Sequence, residues 1–210
     1  GHLTINVSRD GLVYAADRNA NRIHVTRKDG TFVAEWVLAP STGVGGSTGG
    51  IAFSPDREQR LLYISDLTNN RIWFLNRADG KLVGEMGRMG ENGGQFFGLH
   101  MIAVDSQGNV VVVNIGSNDV QTFDKAGKLV KTEHAKEAGN DGLVVLPDGT
   151  KYVSSVRFGS VSKIAPGKEA EVIAEGIPAA ASMCYDSKQN QLVIPMNPNN
   201  ALAFIPLGRR

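Results

Sequence analysis

Five short apolar segments open at Ile5, Ile51, Ile102, Leu143 and Met183, and two residues before each stand Leu3, Gly49, His100, Asp141 and Ala181. Of these five, only His100 and Asp141 can bind a metal ion or move a proton. Asn140, next to Asp141, adds an amide oxygen, and His2 adds an imidazole where the backbone turns it inward. The candidate metal ligands are therefore His100, Asp141 and Asn140, and the candidate cofactor is one divalent cation, calcium or zinc. Catalytic zinc takes three protein ligands and an open position, whereas calcium takes six to eight oxygens. His100 and Asp141 fall short of the first, and Asp141 with Asn140 makes only a beginning of the second.

Other chemistries have less support. Cys184, the single cysteine, lies between Met183 and Tyr185 inside an apolar segment, where a small buried hydrophobe is expected. It can form no intramolecular disulfide, and no zinc-finger spacing exists. Ser154 and Ser155 have no neighbouring histidine and no Gly-x-Ser-x-Gly elbow. The glycine-rich run at residues 43–50 lacks the lysine of a phosphate-binding loop and is read as a flexible connector. His24 and His134 read as solvated surface residues. Trp36, Trp73, Phe74 and Phe123 fall on strand positions suited to packing.

These side chains can cooperate only if the chain brings its apolar segments together, and its internal periodicity does so. The five segments recur every 40 to 51 residues. Each is followed by a polar turn such as Asp10-Gly11 or Asp148-Gly149 and by a second apolar run, the pattern of a tight hairpin. A third strand follows at constant distance. Asp17 to Ile23, Asp66 to Ile72, Asn114 to Val120, Ser155 to Val161 and Met196 to Leu202 are each six residues apart. A fourth strand is readable in the first four segments but not in the last. No helical period interrupts the pattern, so the expected fold is an all-β propeller of about five four-stranded antiparallel blades, the last incomplete. The whole chain, 1–210, is one domain, with blades at about 1–45, 46–95, 96–137, 138–177 and 178–210. In a ring of blades the first strands line a central channel, and His100 and Asp141 then sit at its mouth.

The segments Asp17-Arg18-Asn19-Ala20-Asn21-Arg22-Ile23 and Asp66-Leu67-Thr68-Asn69-Asn70-Arg71-Ile72, with the connector Gly90-Glu91-Asn92-Gly93-Gly94-Gln95-Phe96-Phe97, resemble NHL repeats over roughly residues 1 to 113. From Gly139 onward, Asn140-Asp141-Gly142-Leu143 and the modules that follow are more similar to gluconolactonase and senescence-marker propellers. Residues 1 to 105 hold nine Arg and two Lys, residues 106 to 210 three Arg and eight Lys. The two styles suggest a chimera of two parents, engineered or recombined, joined near residues 105 to 140. The resemblance implies zinc at the position of His100, as in amidating-lyase propellers, and a metal at Asp141, as in gluconolactonase-like ones. Both families normally use six blades, so five modules fall one short.

A formal net charge of +1 gives no bulk attraction for nucleic acid or anionic membrane. No apolar run reaches bilayer length, so a soluble chain is expected, with export of the parent protein left open. Two functions stand side by side. One is a propeller scaffold or binding protein, engaging a protein or small-molecule ligand at the channel mouth and associating with copies of itself through open terminal blades. The other is a metal-dependent lactonase-like hydrolase or amidating-lyase-like enzyme.

Overall fold

The computed structural model describes residues 3–208. Alternating side chains and turn residues produce four four-stranded antiparallel sheets and one three-stranded sheet, in strict chain order. Blade 1 comprises β1 (Leu3–Val7), β2 (Val13–Asp17), β3 (Arg22–Thr26) and β4 (Phe32–Val37). Blade 2 comprises β5 (Ile51–Phe53), β6 (Leu61–Asp66), β7 (Arg71–Asn76) and β8 (Leu82–Met86). Blade 3 holds β9 (Leu99–Val104), β10 (Val110–Asn114), β11 (Asp119–Phe123) and β12 (Leu129–His134). Blade 4 holds β13 (Asn140–Val145), β14 (Lys151–Ser155), β15 (Ser160–Ile164) and β16 (Glu171–Ala174), and blade 5 only β17 (Cys184–Asp186), β18 (Gln191–Met196) and β19 (Ala201–Pro206). The chain is a five-bladed β-propeller, and its last blade has three strands.

The constant six-residue spacing has a common cause. In every blade the residue before the third strand is left-handed: Asn21 (φ 54°), Asn70 (53°), Asn118 (57°), Gly159 (63°) and Asn200 (49°). Asn and Gly tolerate that conformation better than other residues. Three of these asparagines also reach across to the connector entering the next blade. Asn21 Oδ1 accepts from the Ser47 N–H at 2.8 Å, Asn70 Oδ1 from Gly98 at 2.7 Å and Asn118 Oδ1 from Gly139 at 2.7 Å. Each clamped amide lies two residues before one of the channel-mouth positions Gly49, His100 and Asp141. The turn thus places the start of the following blade.

Side chains alternate between the two faces of each sheet, so every inner blade presents one apolar face to each neighbour. Tyr14, Ile23, Ile64 and Leu75 fill the seam between blades 1 and 2, and Ile72, Phe96, Val112 and Phe123 that between blades 2 and 3. Val111, Val113 and Val153 fill the third seam, and Tyr152, Val161, Leu192 and Ile194 the fourth. Each fully buried aliphatic or aromatic side chain contributes roughly 1.5–3 kcal/mol. Trp73 and Phe123 are buried in these seams and Trp36 and Phe74 pack against them, as expected.

Among the described residues no fifth apolar cluster joins blade 5 to blade 1. Leu3, Ile5 and Phe32 on blade 1 and Leu202 and Phe204 on blade 5 are each more than half exposed. The five blades therefore form an arc with an unpacked fifth seam; closure by blade-face packing, one of two arrangements open to such a chain, is not formed. This also corrects the expectation for Cys184, which is exposed because its face of the last blade has no neighbouring sheet. The reading of residues 43–50 as flexible is corrected too. Residues 46–50 are buried, with the Gly49 N–H donating to the Ser65 carbonyl and the Gly50 N–H to Ser65 Oγ.

Candidate functional site at the channel mouth

The first strands of all five blades border a cavity of about 830 Å³. Its wall is mainly apolar, with Leu3 and Ile5 from blade 1, Ile51 from blade 2, Ile102 from blade 3, Leu143 from blade 4 and Val193 from blade 5. The interblade connectors and the second-to-third-strand turns gather at the end where the first strands begin. His100 and Asp141 lie there, outside the cavity lining, whose polar residues Arg9, Gln59 and Asp105 stand at the opposite end.

His100 opens this end on blade 3. Its backbone is fixed twice, by the Asn70 clamp two residues earlier and by Ser65 Oγ, which donates to the His100 carbonyl at 2.7 Å. Its imidazole reaches blade 4, with Nδ1 3.3 Å from the Asp141 carbonyl oxygen and 3.5 Å from Asp141 Oδ1. Both neighbours are acceptors, so the tautomer carrying its proton on Nδ1 suits the geometry and leaves the Nε2 lone pair free of a proton. Asp141 thus stands beside the ring, its carbonyl oxygen the nearer acceptor and its carboxylate within ion-pair distance.

Asn140 is placed differently. It pairs opposite Ser155 in the blade 4 sheet and is fully sealed from solvent, its amide oxygen and nitrogen both without a hydrogen-bond partner among the described residues. The structure thus brings together His100 and Asp141 and leaves Asn140 away from the channel surface. His2 lies outside the described residues. Among those described, no group of three His, Cys, Asp or Glu side chains gathers around one point. One imidazole and one carboxylate fall short of the donor set of a catalytic zinc, and no reaction step is derived through a metal.

The other chemically capable residues are bound into the fold. Ser154 Oγ accepts from the Gly142 N–H and donates to the Ala181 carbonyl, tying blade 4 to blade 5. Ser155 Oγ donates to the Ala138 carbonyl within the connector. His24 packs edge-on against Phe32 and stands 3.5 Å from Glu35, while His134 is exposed.

Sequence reasoning passed over Arg18. It begins the short 3-10 turn Arg18–Ala20 after β2, in a polar stretch indistinguishable from an ordinary solvated turn. Its backbone is pressed against Gly46 so closely that a Cβ there would overlap the Arg18 carbonyl, and Gly46 itself has φ of +70°. The side chain is half-buried, and its Nε is sealed with no acceptor. Burial pushes the guanidinium pKa down, and the field of Asp141 across the channel mouth opposes this. Arg18, His100 and Asp141, from blades 1, 3 and 4, thus lie at the same end of the molecule, and none of the three lines the cavity.

No family profile and no curated protein matches the sequence. Solved structures share its fold. A catalytically inactive histidine-to-alanine variant of virginiamycin B lyase from Staphylococcus aureus, with quinupristin, superposes with a TM-score of 0.68 at 17% identity, covering 98% of this chain and 70% of that one. A streptogramin B lyase gives 0.67 at 19% identity, with 98% and 68% covered. Hydrazine synthase from Kuenenia stuttgartiensis gives 0.70 at 14%, with 97% and 65% covered. Identities this low establish a shared β-propeller fold and nothing finer. No helix among the described residues is long and apolar enough to cross a membrane.

Proposed function

We propose that the chain is a propeller-based binding scaffold whose ligand lies in the central channel. The observation that carries this is the cavity of about 830 Å³ with apolar wall residues from all five blades and a few polar residues, Arg9, Gln59 and Asp105, at the end where the first strands finish. This is the usual composition of a small-molecule site. The neutral dye Nile red tests it. Ile5, 57% exposed on the channel wall, can be changed to Arg without entering the core. Ile5→Arg weakens dye binding at least tenfold, whereas Val130→Arg on the outermost strand of blade 3 leaves it unchanged. Equal binding by all three proteins would remove the channel as the site.

An enzymatic function is favoured by a different observation, the approach of His100 Nδ1 to Asp141 Oδ1. It supports a lactonase-like hydrolase or amidating-lyase-like activity in which these two residues, with or without Asn140, hold one calcium or zinc ion. The neighbouring lyase that loses activity when a histidine is replaced makes His100 the residue to change. Metal analysis of the purified protein, with lactone hydrolysis measured with and without chelator, tests this function; no bound ion and no chelator-sensitive turnover end it.

The same proposal takes the unpacked faces of blades 1 and 5 as contact surfaces for a second copy of the chain. It also keeps the NHL-like character of the first blades and the gluconolactonase-like character of the last as signs of two parents. Homology searches with each half that return the same proteins in register would end the two-parent origin.

A further inference from the structure

Two equivalent grooves lie away from the channel, one between blades 1 and 2 and one between blades 2 and 3, with volumes of about 340 and 530 Å³. Strand register fixes the equivalence. Tyr14 pairs with Val25 and Ile23 with Trp36 in blade 1, as Tyr63 pairs with Phe74 and Ile72 with Met86 in blade 2. The first groove is filled from within. Trp36 lies against Tyr14 with ring centroids 6.1 Å apart, and its indole presses on Gly80 of the next blade so closely that a Cβ there would overlap it. Arg77 Nη1 donates to both carboxylate oxygens of Asp10 and to the Tyr14 hydroxyl, at 3.0 to 3.1 Å. In the second groove Met86 takes the place of Trp36, and its sulfur lies 4.0 Å from where a Cβ would stand on the next turn glycine, Gly127. Lys125 takes the place of Arg77. It runs over the Gly108 turn, where an added Cβ would come within 2.6 Å of its Cε, and it forms no ion pair among the described residues. Asp56, in the place of Asp10, is held by Ser54 and Arg60.

We propose that the groove between blades 2 and 3 is a ligand site for a flat bicyclic aromatic monocarboxylate, its ring in the space that Trp36 fills one blade earlier and its carboxylate between Lys125 Nζ and the Tyr63 hydroxyl. The first groove shows the same arrangement made internally, an indole on a tyrosine and a carboxylate on the cation beside it. Tyr63 and Phe74 meet edge-on at 5.3 Å and are only partly buried. With the Met86 thioether they make a floor that favours a ring over an aliphatic chain. Burial and the charge of Asp56 raise the Tyr63 pKa, so its hydroxyl keeps the proton it would donate. A volume of about 530 Å³ suits a small molecule. Of the residues around this groove only Ser54 and Pro55 also border the channel, so the site stands or falls apart from the channel-binding function.

The test is isothermal titration at neutral pH with indole-3-acetate, indole and tryptamine. The wild-type protein binds indole-3-acetate about fivefold more tightly than indole, the size of one favourable exposed ion pair, and tryptamine no better than indole. Lys125→Gln, at an exposed position, abolishes that preference and leaves indole affinity unchanged. Met86→Trp, which supplies the ring from within, removes binding of all three while the urea midpoint shows the fold intact. Ile5→Arg in the channel changes none of the affinities. Equal affinity for indole-3-acetate and indole in the wild type, a preference that survives Lys125→Gln, or tighter binding of tryptamine overturns the carboxylate assignment. Undiminished binding by Met86→Trp, or loss of binding in Ile5→Arg, overturns the groove as the site. Failure of the wild type to bind any of the three overturns the proposal outright.

Discussion

Asn118 Oδ1 accepts a hydrogen bond from the backbone N–H of Gly139 at 2.7 Å, and Gly139 lies two residues before Asp141. The same contact from Asn70 to Gly98 precedes His100 by the same interval. One side chain therefore does two tasks in each of blades 1, 2 and 3. It accepts the left-handed conformation that ends the turn, and it sets the entry of the next blade, so the two site residues are placed by equivalent devices one blade apart.

Separating the two tasks gives a quantitative expectation. Asn118→Ala leaves the buried Gly139 N–H unpaired, which costs about 1–3 kcal/mol, and forces Ala into a left-handed conformation at a further cost of about 1–2 kcal/mol. Asn118→Gly loses only the first. Urea denaturation of both variants should find both destabilised, with the alanine variant the worse by about 1 kcal/mol or more.

Core and open-face substitutions should differ sharply. Ile72 is fully buried in the seam between blades 2 and 3, and Ile72→Ala should cost about 2–5 kcal/mol. Leu202, 54% exposed on blade 5, should lose less than about 0.5 kcal/mol when changed to Ala. A comparable loss at both positions would mean that blade 5 is covered on that face.

Acid unfolding should report on Glu133, which accepts from Lys131 at 2.6 Å and forms an ion pair with Lys151 of the next blade at 2.9 Å. Burial opposes its charge, but the two lysines outweigh it and hold the carboxyl below its ordinary value. Its folded pKa is thus depressed. The stability it contributes is present above the ordinary glutamate range and is lost as pH falls through the folded value. Asp66 acts in the opposite sense. Burial raises its pKa against the hydrogen bonds from Asn69 and Trp73, so its cost appears as pH rises above the ordinary aspartate value. Urea midpoints across acidic to neutral pH should show a flatter acid limb for Glu133→Gln, and for Asp66→Asn a stability relative to wild type that improves as pH rises.

The end faces predict concentration-dependent mass. Sedimentation equilibrium should show the wild type associating as concentration rises, and Phe32→Lys with Phe204→Lys, at two strongly exposed positions, should hold it monomeric. A wild type that stays monomeric at every concentration would exclude the end faces as contact surfaces.

The blade pattern was legible in the sequence because hairpins, alternation and the six-residue spacing are local, and the facing of His100 and Asp141 followed from register alone. What was illegible depends on contacts remote in sequence. Residues 46–50 look like a flexible glycine linker, yet Asn21 and Leu38, far back in the chain, bind Ser47 and fix them. Cys184 sits in a strand that reads as core, and only the missing neighbour on its face exposes it. Arg18 has the sequence surroundings of a surface residue; its burial against Gly46 comes from a contact remote in sequence.

The most direct test of a channel-bound ligand is backbone hydrogen exchange with and without saturating decanol. The innermost strands β1 (Leu3–Val7) and β17 (Cys184–Asp186) each have one edge unpaired with any strand, and β1 and Cys184 border the channel. Slowed exchange in these strands, with the outermost strands β4, β8 and β12 unchanged, is the predicted result. No slowing in β1 and β17, or slowing confined to the outermost strands, would contradict ligand binding in the channel.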